Sequence, residues 1–145
     1  MNIYRNWFLA SRPWSFSMTA ISISVGGALA AIDGDFFCRL FGLSLISGIF
    51  LHAATNLMND YYDVKSGLDT REVSTAQYRP HPLLEGKLKP EKVFWAALLL
   101  YGVATGIGLG LVAARGLPIL WIGLVGTFAS LTYTAPPLKY KYSAL

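Results

Sequence analysis

Apolar positions gather in four long runs along this chain, each bounded by short polar punctuation. The first covers about residues 14–32, opens after Pro13 and closes at the turn Asp33-Gly34-Asp35. The second covers about 36–58, the third 93–114, and the fourth 117–135, with Arg115-Gly116 as the turn between the last two. Each is near the length of about 20 residues that a helix needs to cross a bilayer. The pattern predicts an all-α polytopic transmembrane helical bundle of about four transmembrane helices. Ser, Gly and Ala in the first run favour close packing inside a bundle over lipid exposure. Gly102, Gly106 and Gly110, at four-residue spacing in the third run, predict a helix-packing face. Residues 1–12 are amphipathic, with Trp7, Phe8 and Leu9 beside Arg5 and Arg12, and are expected to lie in the interface. No small-residue cleavage site precedes a polar mature region, so a cleaved signal peptide is not expected.

The long polar break, residues 64–92, is where the chemistry concentrates, together with the helix end that leads into it. If the second helix continues through Asp63, then Asn56, Asp60 and Asp63 stand at i, i+4 and i+7 on one face. Asn59 and Asp63 form a second i, i+4 pair at its edge. Any one of these residues alone is an ordinary cap where a membrane helix meets water. Four within eight positions, on a helix otherwise apolar or aromatic, point to a site, because ionisable groups near membrane depth are costly. Carboxylate and amide oxygens are hard ligands of the kind Mg²⁺ prefers, and Mg²⁺ commonly takes its remaining ligands from a substrate phosphate. The break also holds Asp69, Glu72, Lys65, Arg71, Arg79, Lys87, Lys89 and Lys92. Two prolines in Arg79-Pro80-His81-Pro82-Leu83 exclude regular helix there, and Pro90-Glu91 reads as a helix start.

Composition agrees with a membrane protein. Hydrophobic residues make up 54% of the 145 and charged residues only 14%, about half the share usual in soluble domains. The formal charge of +4 is spread over short loops, so no nucleic-acid partner is expected. Counting basic residues by side, ten lie in segments 1–12, 64–92 and 136–145, and only Arg39 and Arg115 lie opposite. The positive-inside rule then puts both ends, the acidic cluster and the loop on the cytoplasmic side of a multi-pass protein of the cytoplasmic (inner) membrane. Cys38 is the only cysteine, which excludes an internal disulfide. His52 and His81 have no zinc spacing, and His52, on an apolar run, reads as a packed core residue.

Asn59-Asp60-Tyr61-Tyr62-Asp63 resembles the first aspartate-rich motif of the UbiA superfamily of intramembrane prenyltransferases. So do Ala10-Ser11-Arg12-Pro13-Trp14, Tyr78-Arg79-Pro80-His81-Pro82-Leu83 and Tyr133-Thr134-Ala135-Pro136-Pro137-Leu138-Lys139. The run from Asn59 to Thr70 is most similar to the branch that prenylates 1,4-dihydroxy-2-naphthoate on the way to menaquinone. The resemblance implies a Mg²⁺-dependent transfer of a polyprenyl group from an allylic diphosphate to an aromatic acceptor. It implies Asp60 and Asp63 as catalytic residues and, with Asn59, as metal ligands. Asn56, Asp69, Arg79, Lys139 and Tyr133 become diphosphate-binding candidates. Members of the family have about nine transmembrane helices and a second aspartate-rich motif. This chain resembles the N-terminal half, and a separate C-terminal half is the implied partner. Gly67 stands where many members carry a further aspartate. The alternative is a non-enzymatic four-helix remnant that binds prenyl lipids or a partner subunit in the membrane.

Overall fold

The computed structural model describes residues 2–70 and 79–134. Among them the chain forms five α-helices and no strand: α1 (Ile3–Ala10), α2 (Phe16–Ile32), α3 (Cys38–Lys65), α4 (Pro90–Arg115) and α5 (Leu117–Thr134). The expected all-α membrane bundle is therefore what the chain builds. Cys38–Lys65 and Pro90–Arg115 are each long and apolar enough to cross a membrane, as is the N-terminal unit Ile3–Ile32, while the apolar helix Leu117–Tyr133 is shorter.

Asn2 caps α1 by accepting from the Tyr4 amide at 3.2 Å. A turn at Ser11 and Arg12 and a short 3-10 segment, Pro13–Ser15, then lead into α2. Proline at the first position is pre-set for that segment and gives up no hydrogen bond there. The second run does not stop near Met58: α3 continues to Lys65, 28 residues or about 42 Å at about 1.5 Å per residue. That exceeds the roughly 30 Å hydrocarbon thickness, so the helix is longer than a span alone requires.

Helices α3 and α4 are the central pair. Val93, Ala97, Tyr101, Ala104 and Leu111 form the buried face of α4. Val93, Ala97 and Tyr101 of that face form one core with Ala54, Leu57 and Met58 of α3 and with Ala10, Leu83 and Leu88. This core sits directly under the acidic end of α3. The glycine stripe of α4 is not part of it: methyl groups placed on Gly102, Gly106 or Gly110 meet nothing within 4 Å among the described residues. The expected packing face is thus rotated away from α3, because the larger side chains of α4 already occupy that contact. Among the described residues α2 has no buried residue, and Met18, Ile21, Val25, Leu29 and Ile32 are exposed. Its small residues do allow local close approach, since a methyl group on Gly27 would lie 2.8 Å from the Phe41 ring. Polar side chains join the helices within the bundle. Thr55 lies 2.6 Å from Ser130, and Tyr101 lies 2.8 Å from Ser130, linking α3, α4 and α5.

Candidate active site

Continuation of α3 to Lys65 sets Asn56, Asn59, Asp60 and Asp63 on one buried face. Asp60 is fully buried and Asp63 nearly so. The Asp60 carboxylate is held from two directions. Arg79 donates from Nη2 to Oδ1 at 2.9 Å and from Nη1 to Oδ2 at 3.3 Å. Arg12, reaching across from the turn before α2, donates to the same Oδ1. Two guanidiniums offset the desolvation of one buried carboxylate, an arrangement that leaves a large penalty when either partner is removed.

The end of α3 turns the chain back over this site. Ser66 follows the helix, and Gly67 takes φ +73°, a left-handed conformation that glycine adopts without strain. Leu68 donates to the Asp63 carbonyl at 3.0 Å and Gly67 to the Val64 carbonyl at 3.2 Å, the paired bonds of a Schellman ending. Asp69 then donates its amide to the same Asp63 carbonyl at 3.1 Å. Gly67 is therefore the residue that lets Asp69 return, and an aspartate in its place would resist that turn. The returned Asp69 carboxylate meets His81 Nε2 at 3.2 Å and lies 4.0 Å from Arg79.

His81 is buried in the loop before α4. Its Nδ1 accepts from the Leu84 amide at 3.4 Å, so Nε2 carries the proton donated to Asp69. Glu85 fastens the same loop by accepting from the His81 amide at 3.0 Å. Hydrogen bonding from Lys87, then from that amide, holds the Glu85 carboxyl below its ordinary range.

Asp60, Asp69 and His81 present ligand atoms within 4.8 Å of one another. Since both His81 nitrogens are engaged, the histidine orients Asp69 rather than completing a metal shell, as outer partners of metal ligands commonly do. The carboxylate oxygens in that cluster are those of Asp60 and Asp69; Asp63, buried one turn further along α3, does not fall within it. Asn59 Oδ1 is buried and has no hydrogen-bond partner among the described residues. Buried polar atoms are rarely left so, and an amide oxygen is a hard donor of the kind a divalent cation takes.

Several sequence-derived candidates come together here, and others do not. Asn56 lies on the same face, but its amide nitrogen is spent on the Ser11 carbonyl at 2.9 Å and the Ser15 hydroxyl at 3.1 Å. Tyr133 stands exposed near the end of α5. Lys139 and Glu72 lie outside the described residues. Two residues were assigned no role from sequence, Arg12 and His81. Their signals were an arginine before proline at the edge of a span and a histidine between two prolines, each inside a family-like string that named no role for it. An open, largely apolar cavity of about 420 Å³, with Phe37, Phe41 and Arg115 in its lining, includes none of these candidates.

The sequence model of the UbiA prenyltransferase family matches residues 19–145. The chain belongs to the UbiA prenyltransferase family. It is 32% identical over 136 residues to the 1,4-dihydroxy-2-naphthoate octaprenyltransferase of Bacillus subtilis, covering 92% of this chain and 42% of that protein. It is 33% identical over 143 residues to UbiA prenyltransferase domain-containing protein 1 of Gallus gallus, covering 96% and 41%. The protein of the same name from Dictyostelium discoideum is 30% identical, with 94% and 42% covered. The chain thus spans about two-fifths of the length of these curated relatives. No solved structure matches it. Both segments that converge on Asp60, the end of α3 and the loop carrying Arg79, lie within the matched UbiA region. Arg12 lies before it.

Proposed function

We propose that this chain supplies the first half of a UbiA-type prenyl-transfer site. The donor would be a polyprenyl diphosphate and the acceptor an aromatic ring such as 1,4-dihydroxy-2-naphthoate. The carrying observation is Asp60, buried between Arg12 and Arg79 and clustered with Asp69 and His81, on a helix whose buried residues also include Asn59 and Asp63. Carboxylates and an amide oxygen would hold Mg²⁺, which supplies charge neutralisation at the departing diphosphate. The two guanidiniums match diphosphate oxygens in geometry and charge. In exchanging Asp60 for the diphosphate they would leave the Asp60 carboxylate free to act as a ligand. His81 keeps Asp69 oriented throughout, and the core beneath α3 holds the carboxylates at fixed spacing.

The reaction breaks the allylic C1–O bond, so that diphosphate leaves with the electron pair, and forms a C–C bond from the prenyl carbon to the ring. The ring then loses a proton. Arg12 and Arg79 stabilise the charge that gathers on the leaving group as that bond breaks. The acceptor class rests on the printed name of the Bacillus subtilis relative and on the likeness of the Asn59–Thr70 run to that branch. The site would face the cytoplasm in the cytoplasmic membrane, as the distribution of basic residues indicates.

A second, C-terminal half carrying the other aspartate-rich motif would complete the enzyme. The test is reconstitution in membranes, with radiolabelled polyprenyl diphosphate, 1,4-dihydroxy-2-naphthoate and Mg²⁺. Residues 1–145 alone should give no prenylated product, and co-expression with the C-terminal half of the Bacillus subtilis relative should restore it. Robust transfer by the 145-residue chain alone would show that no second half is needed. No transfer with any complementing half would favour a non-enzymatic membrane protein.

A further inference from the structure

Arg12 has φ +55° and ψ +59°, the only left-handed non-glycine backbone among the described residues. It also precedes Pro13, whose ring restricts the residue before it to extended conformations. Something must hold this turn, and the structure shows a connected set of side chains around it. Ser15 Oγ donates to the Arg12 carbonyl at 2.7 Å, and the Ser15 amide donates to the same oxygen at 3.0 Å. With its single proton spent there, the Ser15 oxygen accepts from Asn56 Nδ2 at 3.1 Å and from His52 Nε2 at 3.1 Å. That places the imidazole proton on Nε2, and Nδ1 accepts from the Thr19 hydroxyl at 2.6 Å. Phe16 packs its ring at 66° to the imidazole, 5.7 Å between centroids.

We infer that His52 is a positioning residue: through Ser15 it locks the Arg12 turn in its left-handed form and so aims the guanidinium at Asp60. His52 and Asn56 stand on α3, about two turns and one turn before Asp60, so the helix that carries the carboxylate also fixes its arginine partner. His52 holds the last residue of the 3-10 segment, Ser15, with one nitrogen and the first turn of α2, through Thr19, with the other, so both of its bonds go to the segment that follows Arg12. The consequence for transfer rests on the prenyl-transfer reading above, whereas the lock itself does not.

The experiment has two arms. In the first, the purified 145-residue chain is melted in detergent as Arg12→Gly and Arg12→Ala. Both lose the guanidinium, but only glycine takes a positive φ freely. The glycine variant should melt a few degrees above the alanine variant, and the gap should close in a His52→Phe background. Comparing gaps cancels the greater unfolded-state freedom of glycine. Should His52→Phe fail to fold, Ser15→Ala serves as the background, with the same expectation. A gap that is absent, or unchanged by loss of His52 or Ser15, overturns the proposal.

In the second arm, the assembly that transfers prenyl groups is assayed at varied donor concentration. His52→Phe should lower kcat/KM for the diphosphate about tenfold, the scale of one misaligned charge-assisted hydrogen bond. His52→Gln should restore most of it, because its amide reaches the Nε2 position. With Arg12→Ala already present, His52→Phe should add nothing, since the two act as one unit. Losses that add would overturn the proposal. A gap that behaves as expected, with no transfer from any variant, would sink the prenyl-transfer reading and leave the lock standing.

Discussion

A carboxylate with no solvent exposure and two arginines on it is an expensive element for stability alone, because desolvation of such groups often exceeds their mutual attraction. That argument separates Asp60 from an ordinary helix-end aspartate, which would be solvated and replaceable at little cost. Asp60→Asn and Asp63→Asn each keep the side-chain volume and remove one charge. In the reconstituted enzyme each should reduce prenyl transfer by about 10²–10³, the usual effect of deleting one electrostatic contributor at a reacting centre. Lys65→Gln, on an exposed position at the end of α3, is the internal control and should leave turnover unchanged. Near-normal turnover and Mg²⁺ dependence in both aspartate variants would refute the site. Asn59 makes a sharper case. Its buried oxygen contributes nothing to the protein's own hydrogen bonding, and an unsatisfied group of this kind destabilises by about 1–3 kcal/mol. Asn59→Leu should therefore leave the Tm level or raise it while weakening Mg²⁺ dependence. A fall in both would mean that the amide is structural.

At the level of elements, the decisive piece is the ending of α3. The chain turns at Gly67 and returns Asp69 to the Asp63 carbonyl, which brings its carboxylate to Asp60 and His81. Gly67→Ala should destabilise the turn by about 1–2 kcal/mol, the penalty for a left-handed residue with a Cβ. It should also displace Asp69 from His81, seen as a loss of transfer larger than the small drop in Tm accounts for. Gly67→Asn, better tolerated in that conformation, should be milder in both assays. Equal behaviour of the alanine and asparagine variants would show that the left-handed turn does not govern Asp69.

For the whole molecule, the ten-to-two distribution of basic residues predicts the orientation in the membrane. In a Cys38→Ser background, cysteine at Ser66 should react only with reagent supplied to the cytoplasmic face, and cysteine at Asp33 only from outside. Both native residues are exposed, so accessibility does not confuse the result. External labelling at Ser66 would reverse the topology and move the site to the other side of the membrane. The outward apolar faces of α2 and α5, including Val25, Leu29, Val125 and Phe128, suit lipid or the remainder of a larger bundle.

Sequence by itself determined the helical class, the positions of the apolar runs and the cluster on α3. These depend on period and composition, which are local properties. It also carried the family, because the motif around Asn59–Asp63 and the flanking segments are contiguous strings. Tertiary structure alone decided that Arg12, 48 positions from Asp60, shares its carboxylate, and that His81 orients Asp69. It decided that the glycine stripe of α4 faces away from α3. It decided that His52 spends both nitrogens around the Arg12 turn. No periodic signal marks such pairings, since each depends on where a loop or a turn is set down against α3. The physical reason is that short-range sequence patterns specify which face of a helix is buried, whereas the partner on that face is chosen by packing over the whole chain.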